Sequence, residues 1–127
     1  MLGASDVIAF VATTDAGRAK AFYRDVLGLE LKSDEPFALV LAANGTMIRV
    51  SKVREFSPAP YTVLGWRVSD IESMAKGLGK RGVVLEKFPG FQQDSLGIWA
   101  APGGDKVAWF KDPDGNMLSI TQFHAVS

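Results

Sequence analysis

One order of elements occurs twice along this chain: an apolar strand, an amphipathic helix opened by aspartate and stopped by glycine, and then a run of strands. In the first half Val7 to Ala12 reads as a strand, Asp15 stands at the N-cap position, and Ala16 to Leu27 carries Ala19, Phe22, Tyr23, Val26 and Leu27 at helical spacing before Gly28. Strands follow at Glu30 to Lys32, Phe37 to Ala42 and Thr46 to Ser51, the last two joined by the hairpin dipeptide Asn44-Gly45. The second half begins with a strand from Thr62 to Val68, a cap at Asp70 and a helix with Ile71, Met74, Ala75 and Leu78 on one face, ended by Gly82. Further strands fit Val84 to Lys87, Gly97 to Ala101, Lys106 to Lys111 and Met117 to Phe123, with turn chemistry at Pro102 to Asp105 and Asp112 to Asn116. Between the halves, Ser57-Pro58-Ala59-Pro60 suits an extended linker.

This pattern predicts an α+β fold of two βαβββ modules, at about residues 5–55 and 61–125, in a single domain over residues 1–127. A chain of 127 residues is long enough for a real core and too short for two independent domains. Each module covers one sheet face with its helix and leaves the other bare, so a curved mixed sheet closed around a shared cavity is the expected arrangement. With 14 basic and 14 acidic side chains, no net field recruits nucleic acid or an anionic membrane surface. Cysteine is absent, which removes disulfides and thiolate chemistry and agrees with a reducing compartment. No stretch reaches the roughly 20 apolar residues of a membrane span. The expectation is a soluble, cytoplasmic protein.

Strand alternation separates the two faces. Val7, Ala9 and Val11, with Ile48 and Val50, suit the helix side, which turns Ile8, Phe10, Ala12, Met47, Arg49 and Ser51 toward the cavity. In the second module Leu64, Trp66, Val68, Leu118 and Ile120 go to the core, while Val63, Gly65, Arg67, Met117, Ser119 and Thr121 face the cavity.

The segment from Trp109 to Ile120, with its Asp112-Pro113-Asp114-Gly115-Asn116 turn, and Phe22-Tyr23-Arg24-Asp25-Val26-Leu27-Gly28 near the N-terminus together resemble the glyoxalase/bleomycin-resistance/dioxygenase family, also called vicinal oxygen chelate. The resemblance runs over almost the whole chain. It implies a cavity that often lies between modules of two chains, hence a homodimer. It also implies where a divalent metal would be held in metal-dependent members: the two first-strand histidines fall on Ile8 and Val63, and the two glutamates on Arg49 and Ser119. None of these is a usable ligand, and Arg49 is a permanent cation, so no metal and no other cofactor is expected. Glyoxalase-type isomerisation and ring-opening dioxygenation both depend on that metal.

The candidate ligand-binding residues are Phe10, Met47, Arg49, Arg67, Trp99, Trp109 and Ser119. Arg49 and Arg67 would attract a carboxylate, phosphate or enolate, unless either pairs with a loop acid such as Asp34, Glu35 or Asp94 or lies at an exposed strand end. Trp99, Trp109 and Phe10 suit stacking of a planar ligand, and Trp66 suits the core. Phe88, Phe91, Gln92 and Gln93 flank Pro89-Gly90 in a loop that is either a lid or a hydrophobic plug. Asp112 and Asp114 are sufficiently explained by the turn, and the single histidine, His124, by a solvated tail. The expected function is metal-independent binding of a planar or anionic small molecule, as in the bleomycin-resistance branch. The alternative is a lyase or isomerase using Arg49 as electrophile and a loop carboxylate as base, or else a dioxygenase-like enzyme.

Overall fold

The computed structural model describes residues 1–124, so the expected module end at residue 125 lies outside the described residues. A short 3-10 turn, Leu2–Ala4, precedes β1 (Ile8–Thr13), α1 (Ala16–Lys20), β2 (Glu30–Asp34), β3 (Ala38–Ala43), β4 (Thr46–Lys52), β5 (Leu64–Arg67), α2 (Ile71–Lys80), β6 (Trp99–Ala100), β7 (Lys106–Lys111) and β8 (Met117–Gln122). The chain forms two compact units. Unit 1 comprises residues 1–58 and 112–116, and unit 2 comprises residues 59–111 with the segment from 117 onward.

Unit 1 holds a four-stranded sheet of order β1-β4-β3-β2, parallel between β1 and β4 and otherwise antiparallel. The Asp15 carboxylate caps α1 by accepting from the Arg18 N–H at 3.1 Å. The expected single helix from Ala16 to Leu27 is α-helical only to Lys20 and continues as a π-helical segment, Ala21–Val26. The wider turn leaves Ala19 and Tyr23 buried, while Phe22, Val26 and Leu27 stay half-exposed. Gly28 then takes a left-handed φ of 78° that ends the helix. On one face of the sheet lie Val11, Leu39, Leu41, Ile48 and Val50, every second residue of their strands and all buried.

The Asp112–Asn116 turn belongs to unit 1 and is tied to it by polar groups. Asp112 is buried and accepts four hydrogen bonds, from the Tyr23 hydroxyl at 2.6 Å, the Asn116 side-chain amide at 2.8 Å, and the backbone N–H groups of Asp114 and Asn116 at 2.9 Å. Asn116 Nδ2 also donates to the Ala12 carbonyl, and Asp114 accepts from both Thr13 and Thr14. The turn sequence therefore does more than reverse the chain.

Unit 2 repeats the plan, with order β5-β8-β7-β6 and a parallel β5–β8 pair. Asp70 caps α2 through the Ser73 N–H, and Ile71, Ala75 and Leu78 are buried where α2 lies on β7 and β8. Met74, expected on that face, is exposed. The expected strand from Val84 to Lys87 does not form. Glu86 N–H reaches the Trp109 carbonyl at 2.7 Å, while the Glu86 carbonyl and the Phe88 N–H are bonded by a side chain, Gln93. Among the described residues no helix is long and apolar enough to cross a membrane.

Candidate functional site

The expected site residues divide between the units. In unit 1 the register sets Phe10 opposite Arg49 and Arg49 opposite Val40, with Ile8, Met47 and Ala42 in the next row of the same face. Exposure on this face is concentrated toward β1, where Phe10 is 59% exposed and Ile8 and Met47 are also open. Arg49 is half-buried, and its guanidinium lies 4.0 Å from Glu35 Oε1, a loop carboxylate. At that distance the pair is a weak, partly solvated attraction rather than a bidentate lock, so the cation remains available. The neighbouring acid Asp34, expected in a loop, is the last residue of β2 and is engaged elsewhere. Lys20 and Lys52 bond it from two sides and hold its carboxyl down to about 2.

In unit 2 one row runs Gly65, Ser119, Trp109 across β5, β8 and β7, and the next runs Arg67, Thr121, Val107, Trp99. Ser119 is buried, and a Cβ placed on Gly65 would stand 3.0 Å from its Oγ, a tight approach that the glycine avoids. Arg67 lies exposed at the end of β5 with its guanidinium 5.0 Å from the Phe123 ring, a cation–π contact in place of an acid partner. It lines a surface depression with Ser69, Lys106, Gln122 and His124. His124 is exposed, with its backbone N–H bonded to Asp105.

Trp99 and Trp109 have centroids 6.0 Å apart and are joined by two residues of the Pro89-Gly90 loop. Phe91 stacks on Trp109 at 5.7 Å and tilts over Trp99 at 5.0 Å, and Phe88 meets Trp109 edge-on at 5.3 Å. Gln93 fixes this loop. Its amide nitrogen donates to the Glu86 and Gly97 carbonyls and its oxygen accepts from the Phe88 N–H, each at 2.8 Å, while Asp94 Oδ1 accepts from the N–H groups of Leu96 and Ile98. The loop thus carries a four-ring cluster on a hydrogen-bonded base. Its signal in the sequence was the pair of phenylalanines around Pro89-Gly90, but nothing local said which strand they would cover. Trp66, by contrast, stacks on Phe110 at 6.4 Å on the helix side of the sheet.

The residues at the positions a divalent metal would use do not fit one. Within unit 1, Ile8 has no donor and Arg49 repels a cation; within unit 2, Val63 has no donor and Ser119 offers only a neutral hydroxyl. The two pairs are laid out alike, since Phe10, two residues past Ile8, is in register with Arg49, and Gly65, two past Val63, is in register with Ser119. The repeated geometry is intact while the donors differ. Among the described residues no group of three or more histidine, cysteine or acidic side chains is gathered as a metal site.

A model of the glyoxalase/bleomycin resistance protein/dioxygenase superfamily matches residues 6–120. No curated protein sequence matches the chain. Among solved structures, a glyoxalase family protein from Enterococcus faecalis superimposes with a TM-score of 0.75 at 20% identity, covering 96% of this chain and 100% of that one. Two proteins from Streptomyces sp. CB03234 are also similar. TnmS3, an antibiotic binding protein, has a TM-score of 0.66 at 22% identity over 95% of this chain and 98% of its own. A glyoxalase/bleomycin resistance protein has 0.67 at 26% identity, over 93% and 100%.

Proposed function

The chain belongs to the glyoxalase/bleomycin resistance protein/dioxygenase superfamily and has its vicinal oxygen chelate fold, and from that premise we propose that it is a metal-independent binding protein for a small planar or anionic organic molecule. The observation that carries the reading is the cluster of Phe88, Phe91, Trp99 and Trp109, four aromatic rings on a strand-and-loop platform at one place in unit 2. Such a surface gives stacking area and desolvation to a flat apolar body without any reacting group. The absence of metal donors at Ile8, Val63, Arg49 and Ser119 supports binding over metal-assisted chemistry, and the likeness to an antibiotic binding protein is in keeping with it. Arg49 is the proposed anchor for an anionic group, and the protein is proposed to act as a homodimer in the cytoplasm.

A second reading, an enzyme with Arg49 as electrophile, is favoured only by the Glu35 carboxylate standing 4.0 Å from it. A general base working near neutrality needs a raised pKa. The carboxylates whose pKa is displaced among the described residues go the other way: Asp25 beside Arg24, Asp34 beside its two lysines, and Asp114, where bonds from Thr13 and Thr14 outweigh the upward push of burial. The test is elemental analysis of desalted protein followed by calorimetric titration with aromatic carboxylates. Binding without metal is expected, and one equivalent of zinc, iron, nickel or manganese retained through desalting overturns the proposal.

A further inference from the structure

The gap between Phe91 and Trp109 is closed to a flat ring as it stands, for a metric reason. A planar ligand sandwiched between two aromatic faces makes carbon contacts of about 3.5 Å on each side, so the host planes must stand about 7 Å apart. Phe91 and Trp109 are within 7° of parallel with centroids 5.7 Å apart, Trp99 and Trp109 are 6.0 Å apart, and Phe91 and Trp99 are 5.0 Å apart. The separation of two near-parallel planes cannot exceed that of their centroids, so no ring enters the gap between Phe91 and Trp109. A ligand that stacks on the Trp109 face covered by Phe91 must take the place of that ring.

Phe91 is the ring able to leave. Trp99 and Trp109 are held in β6 and β7 and are half-buried, whereas Phe91 is 46% exposed and lies in no strand. It follows Gly90, whose φ of 87° a glycine adopts without strain, and its N–H bond to the Phe88 carbonyl is long, at 3.3 Å. The firm attachments stand on either side, at the Phe88 N–H and at Gln93. Residues 89–92 are therefore a short arch on two anchors, and the arch carries one ring onto the faces that a bound arene would occupy.

Resting on the ligand-binding reading above, we propose that Phe91 is a built-in occupant of an aryl subsite on Trp109, and that the ligand class is a molecule with a flat aromatic ring that displaces it. The apparent affinity is then reduced by the fraction of molecules in which Phe91 is in place. A stacked aromatic pair favours the closed form by about two- to tenfold, which sets the scale of the effect.

The experiment is isothermal titration calorimetry of the full chain with 2-naphthoate, comparing wild type with Phe91→Ala, Phe91→Leu and Trp109→Ala, alongside acrylamide quenching of tryptophan fluorescence in the unliganded proteins. Phe91→Ala should bind about two- to tenfold more tightly than wild type and quench more readily, with Phe91→Leu between the two, because leucine fills volume without offering a flat face. Circular dichroism identifies a variant that fails to fold, and the milder leucine variant then carries the comparison. Weaker or unchanged binding in the folded Phe91 variants, with Trp109→Ala abolishing it, overturns the occupant role and leaves the ligand-binding reading standing. Binding seen only once Phe91 is truncated supports the proposal. Absence of binding in every protein overturns both.

Discussion

Tyr23→Phe should destabilise the protein by about 1.5–3 kcal/mol, the usual worth of a hydrogen bond to a charged group. The magnitude follows from the setting. The Tyr23 hydroxyl is fully buried and donates at 2.6 Å to Asp112 Oδ2, and Asp112 is itself buried in the Asp112–Asn116 turn. Removing the hydroxyl leaves that oxygen with only the Asn116 amide, while the ring keeps its packing against Phe22 at 5.2 Å. For a chain of this size, melting should fall by about 6–12 °C, taking roughly 4 °C per kcal/mol. Urea titration followed by circular dichroism gives the free energy directly. The pH dependence supplies an independent check. Burial, with the Asp112 charge beside it, pushes the phenol far above its ordinary pKa near 10. The folded state thus holds a proton that the unfolded state releases above about pH 10, so this contribution is complete below that pH and declines above it, by up to about 1.4 kcal/mol per unit. Phenylalanine lacks the slope, and the gap between variant and wild type should narrow toward pH 11. A difference under about 0.5 kcal/mol at pH 7, or a gap that widens at alkaline pH, refutes the reasoning.

Arg49→Ala should weaken binding of an aromatic carboxylate by about ten- to a hundredfold, with Arg49→Lys recovering only part because a point charge cannot reproduce a bidentate fork; calorimetry checks both. Glu35→Gln should strengthen the same ligand, since it removes the carboxylate 4.0 Å from the guanidinium, and a cationic drug should respond in the opposite sense. Ser119→Glu alone should not create a metal site, because Val63, two residues before the Gly65 that pairs with Ser119, contributes no donor; a stoichiometric metal in that variant by elemental analysis counts against the assignment. Light scattering at micromolar concentration should report a dimer, and a monomer would count against a cavity shared between chains.

Much of the architecture was legible because it rests on short-range physics. Capping aspartates followed by helical spacing, and strands alternating with period two, are local signals, and they located both helices and the parity of Phe10, Arg49, Gly65 and Ser119. The chemistry at Ile8, Arg49, Val63 and Ser119 is read from side-chain identity alone: two aliphatic groups, one cation and one neutral hydroxyl. What the sequence could not decide is wherever a distant group competes with a local preference. Val84 to Lys87 has the pattern of a strand, yet the Glu86 carbonyl is bonded by the Gln93 side chain and the segment joins the base of a loop. Ala21 to Val26 has a helical pattern, yet it widens to a π-turn where Tyr23 reaches Asp112. The same holds for the site. Trp99 and Trp109 could be named from strand parity, but that Phe91 lies across them at 5.0 and 5.7 Å follows from the path of an irregular loop, whose conformation is set by tertiary hydrogen bonds rather than by any periodicity along the chain.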